Sequence, residues 1–148
     1  MSHTLPMRIF IADDDADDRL LIRDAFLESD ASLRLTFFES GDAIVDGLAD
    51  ARARRALPQL ILLDLNMPGK NGRDIIAELK ADPALRGIPI VVLTTSRDEN
   101  DIAACYDLGA SSYVVKPVSY EELLEITRSL THYWSRTTVL PGQSKYYV

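Results

Sequence analysis

The chain repeats one pattern five times: a short apolar run, a polar turn, then a stretch with helical periodicity. The runs are Arg8 to Ala12, Leu33 to Phe38, Leu60 to Leu63, Ile88 to Leu93 and Ser112 to Val115. Runs this short are of strand length, and apolar residues at consecutive positions, as in Leu60-Ile61-Leu62-Leu63, mark strands covered on both faces. Between them Ile22, Ala25, Phe26 and Ser29 recur at helical spacing, as do Ile44, Leu48 and Ala51, and then Ile75, Ile76 and Leu79. Strict alternation of strand and helix predicts an α/β fold: a parallel sheet with helices on both faces, joined by right-handed crossovers.

Punctuation supports that division. Asp15-Ala16-Asp17-Asp18 reads as a solvated acidic helix start, acids being favoured at the positive end of a helix. Ser40-Gly41-Asp42 opens a second helix, and Asp82-Pro83 ends the third. Residues 64–72 form a turn-rich loop, Asp64-Leu65-Asn66-Met67-Pro68-Gly69-Lys70-Asn71-Gly72. The fourth helix is expected over Glu99 to Leu108, with Gly109 just past its end, where glycine most easily takes a positive φ. Ser119 and Glu122 form a capping box for the fifth helix. Its apolar positions Leu123, Ile126, Thr127, Leu130, Tyr133 and Trp134 carry it to Trp134.

Four of the five runs end in groups that carry chemistry: Asp13-Asp14, Asp64, Thr94 and Lys116. In open parallel sheets the functional crevice lies beyond the carboxyl ends of the strands. Pattern and fold rule therefore point to the same edge. Carboxylates, a hydroxyl and an ammonium gathered there suit the task of holding a divalent cation against a phosphorylated carboxylate. Three carboxylates in one crevice repel one another, and a hard dication is their natural neutraliser.

Composition narrows the setting. The 148 residues suffice for one domain with a real core, and a net charge of -7 argues against nucleic acid as a partner. The single cysteine, Cys105, has no internal disulfide partner and reads as helix packing. No apolar run approaches the roughly 20 residues that span a bilayer. Residues 1–6 lack the apolar stretch of a signal peptide, so no membrane association and a cytoplasmic location are expected.

With these residues in view, the chain resembles the response-regulator receiver domain of two-component signalling over Met7 to Trp134. The landmarks, in order, are Asp13-Asp14, Asp64 in Leu63-Asp64-Leu65-Asn66-Met67-Pro68, Gly72, Thr94, and Tyr113-Val114-Val115-Lys116-Pro117. The resemblance implies a flavodoxin-like (βα)5 sandwich with strand order 2-1-3-4-5. It implies that Asp64 is the phosphoacceptor and that Mg2+ is the cofactor. Asp14 and Asp64 would bind the ion directly, Asn66 through its backbone carbonyl, and Asp13 partly through water. Thr94 would be the switch hydroxyl, although the adjacent Thr95 competes for that role. Lys116 would pair with carboxylate and phosphate, and a cis peptide is expected between Lys116 and Pro117. Tyr113 would be the aromatic partner of Thr94, swinging into the space Thr94 vacates and reshaping the surface of the fourth helix, fifth strand and fifth helix.

By the same resemblance the phosphoryl donor is a histidine kinase, and the reaction is the protein's own phosphorylation and dephosphorylation, without an external substrate. Residues 135–148 are too few for a DNA-binding or catalytic output domain, so output by contact with a downstream protein is expected. Val139-Leu140-Pro141-Gly142 and Lys145-Tyr146-Tyr147-Val148 make this tail either an unstructured end or an arm that packs on a partner subunit. The long fifth helix with such a tail is similar to single-domain regulators of the cyanobacterial phytochrome type. That similarity implies a homodimer through the fourth helix, fifth strand, fifth helix and tail, and a phytochrome-type kinase. Other classes fit less well. A haloacid-dehalogenase-like, Mg2+-dependent phosphatase needs an aspartate two residues after its nucleophile, where this chain has Asn66. An FMN carrier needs a phosphate loop after the first strand, where this chain has repelling aspartates. An unphosphorylated scaffold of receiver fold would not need the complete set of site residues.

Overall fold

The computed structural model describes residues 6–141. Five strands alternate with five helices: β1 (Arg8–Ala12), α1 (Ala16–Ser29), β2 (Arg34–Phe38), α2 (Gly41–Ala53), β3 (Leu60–Leu63), α3 (Gly72–Ala81), β4 (Ile90–Thr94), α4 (Glu99–Leu108), β5 (Ser112–Val115) and α5 (Tyr120–His132). The strands pair in parallel in the order β2-β1-β3-β4-β5, as expected. Connections from β1 run outward in both directions, so the strand order reverses between β1 and β3. Asp13 follows one of these strands and Asp64 the other.

Period-2 alternation divides the strand side chains into two cores. Ile9, Ile11, Leu60, Leu62, Val91 and Leu93 face α1 and α5, where they meet Ile22, Ala25, Phe26 and Leu123. Phe10, Ala12, Ile61, Leu63, Ile90 and Val92 face the other way, toward Ile44, Leu48, Ile75, Ile76, Leu79 and Cys105. Every residue of β3 and β4 is buried, which explains their unbroken apolar runs. Cys105 is a fully buried packing residue of α4.

Caps at Asp15, Ser40 and Ser119 fall where the sequence puts them, and Asn71 and Asp98 add two more. The side chains of Asp15, Ser40, Asn71, Asp98 and Ser119 each accept a backbone N–H in the first turn of their helix. Gly109 closes α4 at φ 113°, in the left-handed region. Some boundaries differ from the sequence reading: β2 starts at Arg34 instead of Leu33, and β4 runs on to Thr94 instead of ending at Leu93. β4 starts at Ile90 instead of Ile88, because Ile88 donates its N–H back to Leu85 and Pro89 has none to give.

The fifth helix also overruns Trp134. Tyr133–Thr137 form a π turn, closed by the Thr138 N–H on the Tyr133 carbonyl at 2.9 Å. Trp134 packs on the α1–α5 core, with the Tyr133 ring edge-on to it at 5.0 Å. Beyond the turn Leu140 is buried, and Pro141 lies against Gly87. The expected tail therefore begins as chain packed on its own domain. Lys145 to Val148 lie outside the described residues. Among the described residues no helix is long and apolar enough to cross a membrane.

A polar clasp joins α1 to α5. Thr127, only 1% exposed, donates its hydroxyl toward the Ala25 and Leu124 carbonyls and sits 2.9 Å from the Ser29 hydroxyl. Thr127→Val keeps the shape and removes these bonds. It is expected to lower unfolding free energy by about 1–2 kcal/mol, read as a lower urea midpoint at unchanged slope.

Candidate functional site

Backbone hydrogen bonds set the positions of the acids. The Asp13 N–H reaches the Phe38 carbonyl and the Asp64 N–H reaches the Ala12 carbonyl, each at 3.0 Å, so both residues continue the ladders of β1 and β3 by one step. Their side chains thus stand side by side at the reversal point. Asp13 and Asp64 are buried at 2% and 6% exposure, whereas Asp14 is exposed. One carboxylate oxygen from each of Asp13, Asp14 and Asp64 lies within 4.8 Å of the others.

Each buried carboxylate is held at both oxygens. Asp13 Oδ1 accepts the Asp15 N–H at 2.9 Å, and Asp64 Oδ1 accepts the Asn66 N–H at 3.2 Å. Their Oδ2 atoms bind the Lys116 ammonium at 2.7 and 2.9 Å. Arg19 steadies the same strand end by donating to the Asp13 carbonyl at 2.9 Å. The loop after Asp64 folds back tightly, because Gly72 donates to the Leu65 carbonyl at 3.0 Å. A Cβ on Gly72 would lie 2.7 Å from the Asp64 carbonyl oxygen, so only glycine fits that approach.

Lys116 ends β5 from the opposite side of the crevice. Its backbone N–H donates to the Thr94 carbonyl at 2.8 Å, tying the ends of β4 and β5 together. The expected cis bond is absent: the Lys116–Pro117 peptide is trans, the isomer X–Pro bonds favour by about 0.5–1 kcal/mol. The four-carbon stem delivers the ammonium to the acids without it.

The third partner of that ammonium is Asp18, at 2.8 Å. This corrects the reading of Asp15, Asp17 and Asp18 as a uniformly solvated helix start. Asp15 caps α1 and Asp17 is exposed, but Asp18 points back into the crevice. The capping pattern contained the signal, since a cap at Asp15 makes Asp18 the third residue of the helix, above the strand ends.

Burial disfavours the charged form of both partners in this cluster. It pushes the Asp13 carboxyl above the ordinary value of 3.8, against the opposing pull of its bonds to Lys116 and Asp15, and the Asp64 charge adds to the rise. For Lys116 burial alone would pull the ammonium down, but hydrogen bonds to Asp13, Asp18 and Asp64 outweigh it and leave the pKa raised. Lys116 is charged throughout the neutral range.

Thr94 and Thr95 separate cleanly. Thr94 is fully buried, and its hydroxyl has no hydrogen-bond partner, while Thr95 is exposed. Tyr113 lies half-buried with its hydroxyl donating to the Ser96 carbonyl at 2.9 Å. The Ser96 hydroxyl donates to Asp101 at 2.7 Å, and Asp101 pairs with Arg73 at 3.2 Å. The loop after β4 is thereby linked to Tyr113, to α4 and to the first turn of α3.

Three clustered carboxylates with hard oxygen donors fit a small divalent cation. A buried hydroxyl without a partner fits an acceptor that arrives from outside. A parallel five-stranded sheet with these groups at its carboxyl edge is the architecture of receiver domains. The sequence matches the response regulator receiver domain over residues 9–128, and the chain belongs to that family. It is 34% identical to Response regulator Rcp1 of Synechocystis sp. over 139 residues, covering 93% of this chain and 95% of that protein. The phosphorylated cyanobacterial phytochrome response regulator RcpA superposes with a TM-score of 0.87 at 36% identity, covering 93% of this chain and 100% of that one. The Mn2+-bound form of Rcp1 superposes with a TM-score of 0.81 at 33% identity, with the same coverage.

The raised pKa of Asp13 makes its charge a cost to the fold. A carboxyl raised above its unfolded value contributes most below that value, and the contribution is lost as pH rises through the folded pKa. Asp13→Asn is therefore expected to be more stable than the parent at neutral pH, with the gap closing as pH falls toward 3.8. Urea unfolding from about pH 8 down to about pH 4.5 checks this, and a gap that widened on acidification would contradict it.

Proposed function

We propose that this protein is a single-domain response regulator whose Asp64 accepts a phosphoryl group from the phosphohistidine of a sensor kinase. The arrangement that carries the reading is Asp64 itself. It is buried, flanked by Asp13 and Asp14, and fixed at one oxygen by the Asn66 N–H and at the other by Lys116. Asp14 and Asp64 would hold Mg2+ directly, with the Asn66 carbonyl, and Asp13 would act through water. The bound ion would neutralise charge on the phosphoryl oxygens.

An Asp64 oxygen attacks phosphorus as the donor N–P bond breaks, and the freed imidazole recovers a proton. Lys116 is already within 2.9 Å of Asp64 and can follow the charge from carboxylate to phosphate. The orphan hydroxyl of Thr94 gains an acceptor once a phosphoryl oxygen is present. Its movement would shift the Ser96 carbonyl that holds Tyr113, and with it the surface of α4, β5 and α5. Catalysis is thus limited to the protein's own phosphorylation and dephosphorylation.

The receiver proper is assigned to residues 7–134, between a short extension at 1–6 and a tail at 135–148. RcpA is a phytochrome response regulator, which favours a phytochrome-type kinase as the cytoplasmic donor here. The target is a downstream protein or a second copy of the chain. The proposed dimer surface comprises α4, β5, α5 and the C-terminal extension, where Tyr106, Tyr133 and Val139 are about half exposed. Because Trp134 faces the chain's own core, Tyr133 is the better probe. Tyr133→Ala is expected to shift sedimentation toward monomer, and a parent protein that sediments as a monomer would remove the dimer from the scheme.

The primary test is intact mass after incubation with Mg2+ and acetyl phosphate. The parent should gain one phosphoryl group, and Asp64→Asn none. Lys116→Ala should be phosphorylated at least about tenfold more slowly, having lost its charge next to the transferring group. A gain that persists in Asp64→Asn would refute the assignment of the acceptor.

A further inference from the structure

We infer that Asp18 is a positioning residue of this site: it holds the Lys116 ammonium in place while Asp13 and Asp64 turn to cation and phosphate. The inference deepens the proposed phosphoryl transfer and rests on it.

An ammonium has three N–H donors, and Lys116 spends all of them on Asp13, Asp18 and Asp64. These three acceptors are not equivalent. Asp13 and Asp64 also belong to the carboxylate cluster suited to a cation, whereas Asp18 lies outside it. A dication that draws on Asp13 and Asp64 weakens two of the three bonds, and phosphorylation turns Asp64 into an ester-like acyl group. Asp18 is the one partner that neither event consumes.

Its placement matches that task. Asp18 donates its N–H to the capping carboxylate of Asp15 at 3.0 Å, which fixes its backbone at the crevice rim. Its side chain is 36% exposed against 12% for Lys116, so it grips the ammonium from the solvent side. The two residues line a cleft of about 80 Å³ between α1 and the start of α5, with Leu21, Ile22, Leu93 and Pro117. The hydroxyls that also line it are engaged elsewhere, Ser119 with the Glu122 N–H and Tyr120 with Glu28, so Asp18 is the acidic group that meets the ammonium on that side. Without Asp18 the ammonium falls back on Asp13 and Asp64 and competes with the cation for both.

Two effects follow for Asp18→Asn. Mg2+ affinity, measured by titration calorimetry, should fall on the order of tenfold, as expected for loss of one charge-assisted bond. The maximal rate of Asp64 phosphorylation by phosphoramidate at saturating Mg2+ should also fall, since Lys116 is no longer held beside the transferring group. Asp18→Glu, which keeps the charge on a longer stem, should recover part of both. The decisive measurement is a double-mutant cycle. In a Lys116→Ala background, Asp18→Asn should change Mg2+ affinity far less, because no ammonium remains to be held.

An equal loss in both backgrounds would overturn the inference and leave only a through-space effect of the Asp18 charge. Wild-type behaviour of Asp18→Asn would overturn it as well. Neither result touches the phosphoacceptor reading, which fails separately if the parent protein takes no phosphoryl group.

Discussion

The contact that organises this molecule is one ammonium shared among three carboxylates at the reversal point of the sheet. Asp13, Asp18 and Asp64 reach Lys116 from three elements, the ends of β1 and β3 and the first turn of α1. Lys116 comes from a fourth, the end of β5, pinned to β4 through the Thr94 carbonyl. Buried like charges repel, and one buried lysine cannot fully neutralise four acids, counting exposed Asp14. The edge is left electrostatically unfinished. That deficit fits the proposed dication, while the pKa of Asp13 rises mainly because the carboxylate is buried, with the Asp64 charge adding a little. A fold stabilised largely by apolar layers thus gathers its buried charges at the edge where the phosphoryl chemistry is proposed.

Much of this was legible in the residues because the relevant signals are local. Burial on both faces forces unbroken apolar runs in β3 and β4, and caps such as Asp15 and Ser119 act within one turn, so both leave marks over a few residues. The carboxyl ends of the strands are equally visible, since the last apolar residue and the first polar one are adjacent. Three other features are harder to read from a few neighbouring residues. The cap at Asp15 sets Asp18 at the crevice rim, but its partner Lys116 lies 98 positions away. The trans Lys116–Pro117 bond is the isomer the dipeptide itself favours, and it departs from what the family resemblance implied. The overrun beyond Trp134 reflects packing of its ring on the α1–α5 core, and apolar spacing marks the contact without marking where the helix ends.

Thr94 and Thr95 show how three dimensions decide what one dimension leaves open. Both follow Leu93, and both have the same side chain. Thr94 is the last residue of β4, a strand buried on both faces, and Thr95 lies just past its end in the exposed loop. The buried hydroxyl is then left without a partner, a state that costs about 1–3 kcal/mol. That cost is a reservoir which an incoming acceptor can release.

The reservoir matters because of what lies next along the chain. Two residues after Thr94, the Ser96 carbonyl accepts the Tyr113 hydroxyl, while the Ser96 side chain binds Asp101, itself paired with Arg73. A displacement of Thr94 toward the crevice, as the proposed switch requires, would pull on Ser96, since only one residue separates them. Tyr113 must then follow Ser96 or release it, and the Arg73–Asp101 pair resists the motion from the other side. Under the proposed mechanism one phosphoryl group would have to favour a second packing of this loop by more than these links hold it in the first. The buried Thr94 hydroxyl and the tethered Tyr113 meet through Ser96, and that is the connection the proposed switch would use.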